Sequence, residues 1–108
     1  MYKYNAKITN VVDGDTVDAV IDLGFKLTTV QRLRIAHIDT PERGTPGFEE
    51  AKKLLQSIAL NKSVVVCTQK ATKWGYYLAE IEVEGKDVSG LMLESNLAKP
   101  YEGGTKTL

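Results

Sequence analysis

The stretch NAKITNVVDGDTVDAVID, residues 5–22, sets apolar residues against polar ones on both sides of a central Asp13-Gly14-Asp15. Alternation of this kind marks strands with one buried face, and an Asp-Gly pair between two such runs marks the turn of a hairpin. Gly14 is expected to supply the positive φ that such turns favour. Strand interiors disfavour Asp and Gly, so a pair of acids here asks for a reason beyond the turn. Two chemical reasons are available: a carboxylate site for a divalent cation, or an aspartyl nucleophile of the D-x-D-x-[TV] kind used in phosphoryl transfer.

Outward from the hairpin, LTTVQRLRIA (27–36) reads as a third strand of a meander, with Val30, Arg32 and Arg34 on one face and Leu33 and Ile35 on the other. The loop HIDTPERGTPG (37–47) precedes FEEAKKLLQSIAL (48–60), where Phe48, Ala51, Leu55 and Ile58 recur at helical spacing. Thr45 is the expected N-cap, with Pro46 in the first helical position and Glu49 and Glu50 in the first turn. Two strands follow, KSVVVCTQ (62–69) and YYLAEIEVE (76–84), the second with Glu80, Glu82 and Glu84 along one side. A short helix over VSGLMLES (88–95) has Asp87 as its expected N-cap and Asn96 as a left-handed terminator. Three strands, a helix, two strands and a short helix predict a mainly β, α+β fold: a five-stranded barrel of the OB type with a helix between strands 3 and 4. The strands are joined too tightly for the crossover helices of a parallel α/β sheet, which argues against the aspartyl nucleophile.

The 108 residues, 43% hydrophobic and 26% charged, suit one domain over residues 1–108 with its own core, and the tail from about residue 102 is expected to be mobile. Fourteen basic and fourteen acidic residues cancel, which excludes a non-specific polyanion-coating protein and requires any phosphate binding to be local. Cys67 is the single cysteine, so no internal disulfide forms, and SVVVC suggests a buried thiol. The start MYKYNAKITN lacks an apolar stretch and no run approaches membrane-spanning length. An intracellular monomer with no membrane contact is expected, although a trimmed secreted form reads the same way.

A second acidic cluster, HIDTPERG, brings Asp39 and Glu42 after the strand that carries Arg34. Hard cations take oxygen from carboxylates, main-chain carbonyls and water, and Asp15, Asp39 and the Thr40 carbonyl are candidate donors. The alternative is a turn in which Asp and Thr before proline hydrogen-bond the backbone.

DGDT at 13–16, RIAHIDTPE at 34–42, KWG at 73–75 and LAKPY at 97–101 resemble, in this order, the staphylococcal nuclease (thermonuclease) family, over a span from about Tyr4 to Tyr101. The resemblance implies an OB-fold barrel and a calcium-dependent nuclease, a phosphodiesterase acting on single-stranded DNA or RNA. By position it implies Asp15, Asp39 and the Thr40 carbonyl as metal ligands, with Asp13 in a weaker role, Glu42 as general base and Arg34 as the phosphate clamp. Lys73, Trp74 and Tyr101 become the nucleic-acid-binding candidates, and an aromatic ring stacked on a base contributes roughly 1–3 kcal/mol. Where the family usually reads K-Y-G-R, this chain has Lys73, Trp74, Gly75 and Tyr76, so the second catalytic arginine is missing. Loss of one donor to developing negative charge typically lowers the rate about a hundred- to a thousandfold, which implies weakened catalysis unless Lys73 or Arg43 substitutes. Arg32, outside the motif, reads as a surface or groove contact, and His37 as a packed, hydrogen-bonded histidine. The family's third, C-terminal helix has no counterpart in this sequence. The competing reading is a non-catalytic nucleic-acid- or protein-binding OB module.

Overall fold

The computed structural model describes residues 2–71 and 75–101, with the side chains of residues 70 and 71 left out of the description. Lys73, Trp74 and the tail from residue 102 therefore lie outside the described residues. Strand β1 (Tyr2–Asp13) turns through Gly14 and Asp15 into antiparallel β2 (Thr16–Gly24), which turns into β3 (Leu27–Ile35). A two-residue strand β4 (Ile38–Asp39) leads into the loop before helix α1 (Phe48–Ala59). Strands β5 (Ser63–Ala71) and β6 (Tyr77–Val83) follow. Then come β7 (Lys86–Asp87), helix α2 (Val88–Glu94) and β8 (Lys99–Pro100), which pairs with β4.

The long strands run in the order β3-β2-β1-β5-β6, and β6 returns to β3 through the parallel pairs Leu33↔Tyr77, Arg34↔Leu78 and Ile35↔Ala79. That pairing closes the sheet into the expected five-stranded barrel and leaves no open edge along these residues. Ile8, Val17, Leu33, Ile35, Val66 and Ile81 fill its interior, and Leu55 of α1 and Met92 of α2 join the same core. In β1 the inward residues are Ala6, Ile8 and then Val11, an odd step that strict alternation cannot produce. The register shifts between Ile8 and Asn10, and this bulge restores Val11 to the core face.

Several local expectations meet a different outcome. Neither Gly14 nor Asp15 has positive φ; the glycine is required because a Cβ there would lie 2.8 Å from the Ala51 Cβ and the Thr40 Oγ1. Thr45 does not cap α1. Its hydroxyl donates to the Glu42 carbonyl at 2.6 Å, inside the tight turn that follows Pro41, and is thereby committed away from the helix. Gly47, with φ 91°, takes the N-cap position without a side-chain bond, and Ala59 rather than Ile58 completes the fully buried stripe. Cys67 is half-buried on the outer face, because Val64 and Val66 use the inward parity of β5. Glu84 lies past the end of β6 in a turn with φ 53°, so only Glu80 and Glu82 share the strand face. The α2 expectations hold: Asp87 accepts from the Gly90 amide at 3.3 Å, and Asn96 is left-handed with φ 65°.

Gly14→Ala is expected to destabilise the fold by about 1–3 kcal/mol, the usual range for overpacking a filled site. Urea denaturation checks this: the midpoint should fall while the slope m stays that of the parent.

Candidate active site

The β1–β2 turn is organised by its acids. Asp13 Oδ1 accepts from the Asp15 amide at 3.1 Å, which folds the turn back and sends the Asp15 side chain inward. Asp15 Oδ1 accepts from Thr16 Oγ1 at 3.0 Å, and Oδ2 accepts from both the Thr40 amide at 3.1 Å and Thr40 Oγ1 at 3.0 Å. The Asp15 carbonyl in turn accepts from the Ile35 amide at 2.8 Å, so the turn is tied to β3 and to the loop after β4.

Arg34 reaches this junction from β3. Its Nη1 donates to the carbonyls of Ile35 at 3.0 Å and Ile38 at 2.9 Å, which fixes the plane of the guanidinium. The same Nη1 lies 3.5 Å from Asp15 Oδ2, and Nη2 lies 3.6 Å from Asp39 Oδ1. The Tyr101 ring covers the group at 5.7 Å, and the Tyr101 amide donates to the His37 carbonyl at 2.9 Å. One guanidinium thus sits between two carboxylates, with Asp39 the more exposed of the pair at 35% against 10% for Asp15.

Burial pushes the Asp15 carboxyl above its ordinary range; the neighbouring Asp13 adds to this, and Arg34 and the Thr40 amide only partly offset it. A carboxyl raised by folding favours the folded state while protonated, and that contribution is lost as pH rises through the folded pKa.

A family model of staphylococcal nuclease homologues matches residues 32–107. The chain belongs to that family. A micrococcal nuclease of Shigella flexneri is 21% identical over 107 residues, covering 91% of this chain and 59% of that protein. A protein described as an uncharacterized endonuclease of Escherichia coli O157:H7 is 25% identical over 99 residues, covering 91% of this chain and 61% of that protein. Protein ParB of Escherichia coli is 23% identical over 104 residues. The chain spans about six-tenths of the length of these relatives. Barrel and family together make this a nuclease-type domain. No helix among the described residues is long and apolar enough to cross a membrane.

Of the residues singled out from the sequence, Asp13, Asp15, Arg34, Asp39, Thr40 and Tyr101 converge at one end of the nuclease-family barrel. Glu42 sits in the loop that leaves this cluster, with its side chain exposed and its carbonyl accepting from the Thr45 amide and hydroxyl. Arg43 is turned onto the Phe48 ring at 5.0 Å. Tyr76 precedes β6 and faces Arg32, whose guanidinium carbon lies 5.8 Å from its ring centre. His37 is half-buried with φ 75° and brings Nε2 within 3.0 Å of Glu80 Oε2, as a packed and hydrogen-bonded histidine should. Sequence reasoning missed Thr16 and the Arg32–Asp18 pair. Both follow from the β2–β3 register, Thr16↔Arg34 and Asp18↔Arg32, which a hairpin of nine-residue strands could have supplied.

Asp15→Asn keeps the shape of the side chain and removes the buried charge, so it is expected to raise the thermal midpoint at neutral pH, without divalent ions, by a few degrees. The gain should shrink as pH falls toward the ordinary carboxylate range, where the parent Asp15 is itself protonated. Melting curves of both proteins between pH 4 and 7 check the sign.

Proposed function

We propose that this domain is a calcium-dependent nuclease that hydrolyses the phosphodiester bonds of single-stranded DNA or RNA. The observation that carries the reading is the guanidinium of Arg34 held between Asp15 and Asp39, at 3.5 and 3.6 Å, at a junction open on the Asp39 side. The donor set fits calcium. Two carboxylates and the Thr40 carbonyl are all oxygen, and fewer than the six to eight ligands calcium takes, so water and substrate oxygens would complete the shell. Among the described residues no group of three His, Cys, Asp or Glu side chains is placed to hold a metal ion by itself. When bound, the cation would neutralise charge on the phosphate and lower the pKa of a water.

The chain's own residues account for the rest. Arg34, with Nη1 spent on two carbonyls, presents its remaining edge to the phosphate in a fixed plane. A planar fork of N–H donors suits phosphate oxygens and stabilises the charge that grows on them. Glu42, exposed beside the cluster, accepts the proton that the attacking water gives up. Tyr101, packed on Arg34, offers a ring on which a base can stack, and Lys73 and Trp74 would add to the nucleic-acid contacts. Tyr76, in place of the family's second arginine, brings no charge and predicts slow turnover. It also favours the second reading, a binding module in which the chemistry has been lost.

Purified protein incubated with an end-labelled single-stranded oligonucleotide, with calcium or with chelator, separates the two. Calcium-dependent cleavage is expected, lowered about a hundredfold or more by Glu42→Gln. Calcium should also raise the thermal midpoint, as any ligand confined to the folded state does, and Asp39→Ala should abolish that shift. Binding without cleavage by the parent would select the binding module.

A further inference from the structure

Arg32 stands on the same face of β3 as Arg34, two residues away and so about 6.6 Å along the strand. Its guanidinium is held from two sides. Asp18, its register partner on β2, accepts from Nε at 2.7 Å and from Nη2 at 3.2 Å, and the Asn10 amide of β1 steadies the same Asp18 Oδ2 at 3.1 Å. Across the β3–β6 seam, the Tyr76 ring lies 5.8 Å from the guanidinium carbon. Residues from two neighbouring strands and the approach to a third thus fix one arginine that is still 41% exposed.

Exposed ion pairs add little to stability, so the pinning gains its meaning from what the arginine presents. A guanidinium has five N–H donors, and Asp18 takes two of them along the Nε edge. Three N–H donors remain, and the Tyr76 side chain, which also hydrogen-bonds Arg32, takes up part of that set. A side chain fixed in advance loses little rotamer freedom when an anion arrives. Tyr76 fits this arrangement better than an arginine would, because a second guanidinium there would meet Arg32 as a like charge, whereas a tyrosine ring attracts it.

We propose that Arg32, pinned by Asp18 and Tyr76, is a second phosphate site, which binds the phosphate adjacent to the one held by Arg34 on a single-stranded polynucleotide. The inference rests on the reading of Arg34 as the phosphate clamp, and it makes the outer face of β3 the path along which the strand leaves the cleavage position. Its contribution is to substrate affinity and not to the bond-breaking step.

Fluorescence anisotropy with a labelled single-stranded oligonucleotide, in calcium and across a salt series, tests it. Each neutralised phosphate contributes about 0.7 to the log–log salt slope of single-strand binding, so Arg32→Gln should lower the slope by about 0.7 and weaken binding about fivefold near 0.1 M salt. Lys53→Gln, which removes one charge on the exposed side of α1, should leave the slope unchanged. Asp18→Asn breaks the same ion pair but keeps the guanidinium, and should retain at least the parent's slope. An Arg32→Gln slope equal to the parent's overturns the inference, as does an equal loss in Lys53→Gln or in Asp18→Asn, since net charge or fold disruption would then explain it. The cleavage assay judges the nuclease reading separately: a parent that cleaves while Arg32→Gln keeps its slope and its KM sinks the phosphate site alone.

Discussion

The buried carboxylate of Asp15 holds the functional end of the barrel together. Its two bonds from Thr40 join the first hairpin turn to the loop after β4, across 25 residues of chain, and its carbonyl anchors the end of β3. A carboxylate taken from water in this way costs free energy unless its lone pairs find donors, and here two threonine hydroxyls and an amide meet three of roughly four, with Arg34 close by. The result is a charge held in place while still short of full compensation, which is what burial raising its pKa expresses. Perturbed groups of this kind are commonest at functional sites.

Much of this was legible because the relevant signals are local. The alternation around Asp13-Gly14-Asp15, the helical spacing from Phe48 and the N-cap at Asp87 depend on a few neighbouring residues, and the structure bears each of them out. The misreadings share a different cause, contacts between distant segments. Gly14 is a glycine because Ala51 and Thr40 crowd it, which no turn rule reveals. Thr45 has the right chemistry for an N-cap, but its hydroxyl is claimed by Glu42. The parity of β5 that turns Cys67 outward is set by which valines meet the core. At the site, the two acidic clusters singled out Asp15, Asp39 and Thr40 and the family resemblance added Arg34, while the Asp18–Arg32–Tyr76 arrangement required knowing that β6 returns to β3.

The departure at residue 76 also reads differently in three dimensions. Along the sequence, Tyr76 is a lost arginine. In the barrel it is the neighbour of an arginine supplied by another strand, so positive charge near this seam has a different address. The Nε and one Nη2 donor of Arg32 are committed to Asp18 of β2, at 2.7 and 3.2 Å.

The parallel pairing of β3 with β6 spans only three residue pairs, backed by the Ala36 amide bonded to the Ala79 carbonyl at 2.8 Å. It joins segments more than forty positions apart, whereas the β1–β2–β3 meander is made of neighbours. Closing so long a loop carries an entropic penalty that local hairpins escape, so the meander can form early and the seam late. A short ladder is also the natural place for the barrel to open transiently. Arg34, Arg32 and Tyr76 lie along it. The seam's backbone amides should accordingly exchange with solvent sooner than those of β1 and β2, whose hydrogen bonds outlast a parted seam.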